Sequence, residues 1–292
     1  MKCKGPITIK LESGDRQTVA CGNCMPCRVN KAQEWAFRLE QEMEVCHSAH
    51  FLTLTYSDEE IVRNDLGHGV LVKSDLQKFI KRLRRHVDRQ EKTLSATLGY
   101  HETVKIPQIR YYAVGEYGGQ TYRPHYHAIA FNIPSSILQS LESIWKHGHA
   151  RIGTVTRGSI LYCTKYITKI DTRDLEAMEL PKPFQIMSNG IGATYVTDET
   201  REYHSRYRSL YTIEKKYSQR IGKYLENKIH TSEEMKQRVS RAKQRNALLA
   251  EKAQHEKERK LRDSGIDVYL HEREQERAQE ATFRKNNKRN KL

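Results

Sequence analysis

The chain has 292 residues, with 51 Lys and Arg against 36 Asp and Glu, for a formal net charge of +15. With 37% hydrophobic and 30% charged residues, it can build a core from part of its length but not from all of it. No stretch approaches the ~18 apolar residues of a membrane span, the first residues show no apolar signal segment, and the charge excess points either to a polyanionic partner or to a solvated basic surface.

Four of the six cysteines fall within residues 1–30. Residues 31–46 then read as a helix, because Ala32, Trp35, Ala36, Leu39 and Met43 share one face. FLTLTY at 51–56 is rich in β-branched and aromatic residues and predicts a strand, and 57–73 reads as loop and turn. A second helix is expected from about Ser74, with Ser74 and Gln77 at capping-box spacing. Leu76, Phe79, Ile80, Leu83 and Val87 form its apolar stripe, while Lys78, Lys81, Arg82, Arg84 and Arg85 load the rest with charge that either meets solvent or faces DNA. Strands are expected at 109–114 and 125–133, separated by the turn signals of GEYGGQTYRP. A helix over 136–146 turns Ile137, Leu138, Leu141, Ile144 and Trp145 inward, a strand follows near 150–156, and Ser159 is a good N-cap for a helix over 160–170. Residues 223–262 are rich in Lys, Arg, Glu, Gln and Ala, as in a long exposed helix or a helix-prone disordered arm, and RKNNKRNKL ends the chain as a basic tail. The pattern is α+β, divided into a cysteine-rich segment (1–30), a catalytic domain (31–200) and a charged arm (201–292) that adds affinity rather than chemistry.

Nothing in the sequence suggests secretion, so the clustered cysteines favour metal over disulfides. Cys21, Cys24 and Cys27 are each separated by two residues, and a hairpin over 5–20 would bring Cys3 to them. Four thiolates complete a structural zinc site. The spacing also suits iron–sulfur ligation, which nothing else here supports, and unligated thiols are the third reading. Cys46 and Cys163 read as ordinary buried thiols.

His125 and His127 flank one residue, and on a strand such side chains point to the same face. If the strands on either side of the turn pair antiparallel, Glu116 comes alongside them. One carboxylate and two imidazoles leave open positions on a divalent ion such as Mg²⁺ or Mn²⁺, which acts as a Lewis acid on phosphate. The alternatives are a chance His pair and a turn glutamate held by backbone amides. Farther on, Tyr162, Lys165, Tyr166 and Lys169 share one helical face. Tyrosine can attack as a nucleophile, helped by a metal and a nearby ammonium group; the plainer reading is two tyrosines half-buried at a helix edge.

Taken together, CGNCMPCR at 21–28, FLTLTY at 51–56, GEYG at 115–118, RPHYHAIAF at 123–131, YCTKYITK at 162–169 and PFQIMSNGIG at 183–192 resemble the HUH endonuclease superfamily. More closely, over roughly residues 1–200, they resemble the replication initiators of gokushovirus-type microviruses. Tyr126, where that superfamily usually has a hydrophobic residue, is a departure. The resemblance implies a central antiparallel sheet with the histidines on a middle strand and the tyrosine helix across its face. It implies rolling-circle initiation: one tyrosine attacks an origin phosphodiester, keeps the DNA 5′ end and frees a 3′-OH, and the second attacks after one circle. The implied partners are single-stranded viral DNA, the double-stranded replicative-form origin and host replication machinery, in the bacterial host cytoplasm and away from membrane. Three other readings stand beside it: a non-catalytic nucleic-acid-binding or packaging protein, a phosphoesterase that uses water, and a transposase or relaxase with the same chemistry.

Overall fold

A computed structural model of the chain describes residues 3–10, 14, 16–98, 107–165, 173–207, 209, 211–212, 220–265, 267, 269–270, 273–274, 276–278 and 280–281. Tyr166, Lys169 and the basic tail lie outside the described residues. The fold is α+β.

A hairpin of β1 (Ile7–Lys10) and β2 (Arg16–Val19) opens the chain. Helix α1 (Met25–Met43) follows. It starts and stops earlier than its apolar stripe indicates, because Cys24 takes the extended N-cap conformation and Pro26 presets the backbone of the first turn. Next come β3 (Ala49–Tyr56), α2 (Lys73–Leu98), β4 (Arg110–Tyr117) and β5 (Pro124–Phe131). Ser74 lies inside the first turn of α2 rather than capping it, and the Asp75 carboxylate beside it accepts a hydrogen bond from Tyr56 Oη at 3.0 Å. The helix expected over 136–146 is two short pieces, α3 (Ser135–Leu138) and α4 (Leu141–Trp145), which keep the same residues inward.

Strand β6 (Gly148–Thr154) leads to α5 (Arg157–Lys165). Ser159 is not its N-cap. Thr156 and Ser159 cap each other, Ser159 N–H donating to Thr156 Oγ1 at 3.2 Å and Thr156 N–H to Ser159 Oγ at 2.7 Å. After α6 (Arg173–Ala177) comes an unexpected strand, β7 (Phe184–Met187), then α7 (Asp198–Tyr207), α8 (Gly222–Ile229) and α9 (Ser232–Asp263). Helix α9 is about 48 Å long at 1.5 Å per residue, and its described side chains are exposed except for the half-buried Glu258. Helix α8, by contrast, buries Ile221, Leu225 and Ile229 against Phe37 of α1, so this part of the arm packs on the body. Among the described residues no helix is long and apolar enough to cross a membrane.

The main sheet has the order β6-β3-β5-β4-β7, each neighbouring pair antiparallel. Period-two alternation divides its residues. One face sets Leu52, Leu54, Tyr126 and Ala128 against Leu76, Phe79 and Leu83 of α2 and Trp145 of α4. The other sets Tyr112, Val114, Ile129 and Phe131 against Ala36 and Leu39 of α1 and Ile160 and Cys163 of α5. Two of the arginines on α2 hold the fold together: Arg82 donates to the carbonyls of Ile144 and Trp145 at 2.7 Å each, and Arg84 to that of Ile109 at 3.1 Å. The helix lies on the sheet face opposite the histidine pair.

Tyr126 also sits on the α2 face, fully buried. Its hydroxyl accepts from Val72 N–H at 2.9 Å, donates to Val72 C=O at 3.0 Å and shares a 2.7 Å hydrogen bond with Tyr56 Oη. A polar filler is tolerated there because it pins the entry to α2. Tyr126→Phe should therefore destabilise the protein by about 1–3 kcal/mol, since the buried Val72 groups lose their partner. Urea unfolding measures this, and an unchanged midpoint would show that the hydroxyl is not used.

Candidate active site

The pairing of β4 with β5 sets Glu116 directly opposite His125, and the pairing of β3 with β5 sets Thr53 opposite His127. Directly opposed residues on antiparallel strands share a face, so Glu116, His125, His127 and Thr53 converge beneath α5. Glu116 Oε1 lies 3.0 Å from Nε2 of both His125 and His127. The three residues form a group whose ligand atoms all lie within 4.8 Å of one another.

Each imidazole is held from behind. His125 Nδ1 lies 3.1 Å from the Arg123 carbonyl. A carbonyl only accepts, so Nδ1 carries the proton and the neutral ring turns the bare lone pair of Nε2 toward Glu116. His127 Nδ1 meets Thr53 Oγ1 at 3.0 Å, and its ring stacks on Phe51 with centroids 5.3 Å apart. Burial pushes His127 below its ordinary range, toward the neutral form. Burial would raise the Glu116 carboxyl, but the two imidazoles against it hold it at about 2.

An ionised carboxylate thus faces a neutral imidazole lone pair at hydrogen-bond distance, an arrangement that calls for a cation between them. Glu116 Oε2 is buried and, among the described residues, has no hydrogen-bond partner. Both observations fit a divalent metal, and the two-nitrogen, one-carboxylate donor set suits one.

Helix α5 brings Tyr162 to this group. Ile160, Cys163 and Thr164 are buried, which turns position 162 toward the sheet's histidines. Tyr162 Oη donates to Glu116 Oε1 at 3.0 Å and lies 3.4 Å from His127 Nε2. The Lys165 ammonium stands 3.9 Å over the Tyr162 ring. So the structure brings together Glu116, His125, His127, Tyr162 and Lys165. Thr53, Phe51 and the Arg123 carbonyl complete the surroundings and were missed in the sequence; the only signal was that Phe51 and Thr53 share a face of their strand.

The four N-terminal thiols also converge. Cys3, Cys21, Cys24 and Cys27 have ligand atoms within 4.8 Å of one another, and the expected hairpin is what closes the gap. Of the other two cysteines, Cys163 is fully buried, while Cys46 is only half-buried and donates weakly to the Met43 carbonyl.

Comparison with known proteins agrees with this arrangement. Residues 49–171 match the family of the replication-associated protein ORF2. The chain is 30% identical over 231 residues to Replication-associated protein ORF2 of Spiroplasma virus 4, covering 73% of this chain and 68% of that one. The chain belongs to the replication-associated protein ORF2 family. Replication-associated protein VP4 of Bdellovibrio phage phiMH2K is 32% identical over 164 residues, and Replication-associated protein ORF4 of Chlamydia phage 1 is 27% identical over 168. The aligned parts are 51% of this chain in both cases, but 47% and 37% of those proteins. No solved structure matches.

The stretch that matches the family covers β3 through α5 and so contains all five converged residues. The 183–192 motif lies beyond it and is structural. Gly192, at φ +70°, donates its N–H to Glu42 Oε2 at 2.9 Å, and Arg38 Nε donates to the Ile191 carbonyl at 2.9 Å. Glu42 also pairs with Arg110 of β4. This motif therefore ties β4 and the turn after β7 to α1.

Proposed function

We propose that the chain initiates rolling-circle replication of a phage genome as a site-specific endonuclease that nicks and rejoins single-stranded DNA through a 5′-phosphotyrosine intermediate. One observation carries the reading: the Tyr162 hydroxyl sits on the carboxylate and imidazole of a group suited to a divalent ion. Family membership supports the replication role.

Glu116, His125 and His127 would hold the ion, Mg²⁺ or Mn²⁺. The chemistry such an ion supplies when bound is Lewis-acid polarisation of a phosphate oxygen. Tyr162 Oη attacks phosphorus, and the new O–P bond forms as the bond to the 3′ oxygen breaks. The phenolic proton passes out to water, and the 3′ oxygen takes up a proton to become a 3′-OH. Lys165 compensates the negative charge that develops between phenol and phosphate. Rejoining is the reverse: a 3′-OH attacks the tyrosyl phosphodiester and the phenol leaves, so the bond energy is conserved and no ATP is needed. Tyr166 and Lys169 are assigned the second round by their sequence spacing.

Incubating the protein with labelled circular single-stranded DNA and Mn²⁺, followed by denaturing electrophoresis, tests this. The reading expects an SDS-resistant protein–DNA adduct that EDTA prevents. Cleavage without attachment would instead identify a water-dependent phosphoesterase, and binding without cleavage a packaging protein.

Thr53 offers a finer test. It fixes the His127 ring from behind, so Thr53→Val, which keeps the shape, should lower metal affinity or cleavage by roughly 10- to 100-fold. Titrating cleavage with Mn²⁺ measures the effect, and a wild-type titration curve would remove Thr53 from the site.

A further inference from the structure

We propose that Cys3, Cys21, Cys24 and Cys27 bind one zinc ion that fastens the N-terminal hairpin to the start of α1. Cys3 and Cys21 lie just outside the two ends of the β1–β2 hairpin, Cys24 is the N-cap of α1 and Cys27 lies in its first turn. Their Sγ atoms are 3.5 Å apart between Cys3 and Cys21 and 3.7 Å apart between Cys3 and Cys24. A zinc ion with four tetrahedral sulfurs at about 2.3 Å holds them about 3.8 Å apart. A four-iron cluster would spread its thiolates much farther, because each binds a different iron. The distances therefore select a single ion.

The backbone is arranged for thiolates as well. Cys21 N–H donates to Cys3 Sγ and Cys24 N–H to Cys21 Sγ, each at 3.3 Å. Gly22, at φ +76°, lets the chain turn between Cys21 and Cys24. The hairpin itself has little else to hold it. All four residues of β1 are exposed, Ile7 at 48% and Ile9 at 40% among them. A two-stranded hairpin of this kind is marginal in water by itself, so a cross-link at its base accounts for its order. The same cross-link fixes the first turn of α1, the helix that packs against α5 and so supports Tyr162.

The test uses untagged full-length protein. After dialysis against metal-free buffer, elemental analysis should find about one zinc per chain. Exchange with Co²⁺ should give the intense sulfur-to-cobalt absorption of a tetrahedral thiolate site. In the native metal-loaded protein, alkylation followed by peptide mass spectrometry should find these four thiols protected, and they should become reactive once an organomercurial has displaced the metal. Zinc should persist in His125→Ala/His127→Ala protein, which separates this site from the histidine centre, and be lost in Cys24→Ser. Iron with a visible chromophore, a zinc lost with the histidines, or a wild-type protein with reactive thiols and no thiolate–cobalt absorption would each overturn the proposal. These readouts do not depend on cleavage, so they stand whether or not the chain nicks DNA.

Discussion

Replacing Tyr162 with phenylalanine should lower the rate of covalent attachment in the first nick by roughly three orders of magnitude or more. The substitution removes one oxygen and little else. The ring keeps its edge contacts with His127 and Phe51, at 5.0 and 6.3 Å between centroids, and the Lys165 ammonium keeps its place over it. What is lost is the nucleophile that lies 3.0 Å from Glu116. Any residual adduct in this variant should map to Tyr166. Tyr166→Phe should form the first adduct and fail in repeated rounds of circle release, and the double variant should form none. Attachment of Tyr162→Phe protein at the wild-type rate would refute the assignment, and gel-resolved adduct formation over time distinguishes the outcomes.

Loss of a ligand should be as severe but different in kind. Glu116→Gln should reduce cleavage by roughly 100-fold or more and shift its dependence on Mn²⁺ upward. Glutamine has nearly the same shape, but it removes the one negative charge that two imidazoles and a phenol converge on. His127→Ala should abolish cleavage. Both variants should keep most of their DNA affinity, because phosphate contacts from Lys and Arg dominate binding. Fluorescence anisotropy with labelled oligonucleotide, alongside a cleavage assay, separates the two quantities. Undiminished cleavage by Glu116→Gln, or by wild-type protein in excess EDTA, would remove the metal from the account.

The residues of this site could be read from local periodicity because each pair sits on a single element or across one turn. His125 and His127 need only the two-residue repeat of a strand, Tyr162 and Lys165 only the turn of a helix, and Glu116 only the antiparallel return of neighbouring strands. Thr53 was illegible for the opposite reason: it meets His127 across 74 positions of sequence, and no local pattern indicates that β3 lies beside β5. The fold shows the same division. The apolar stripes of α1 and α2 predicted buried faces, whereas β7, four residues at the sheet edge, is too short for a periodic signal. Arg82 and Arg84 looked like surface charge, because their use as donors to carbonyls in α4 and before β4 depends on tertiary packing. In α8, Leu225 and Ile229 have core spacing, but the surrounding lysines and glutamates made the segment read as part of an exposed arm.

The most direct measurement of the central claim is the identity of the residue that carries DNA. Protein incubated with a short single-stranded origin oligonucleotide and Mn²⁺ is digested, and the nucleotide-linked peptide is sequenced by mass spectrometry. The account predicts a 5′-phosphate ester on the phenolic oxygen of Tyr162. A nucleotide linked to a residue other than Tyr162 or Tyr166, or cleaved DNA with no linked peptide, would contradict it.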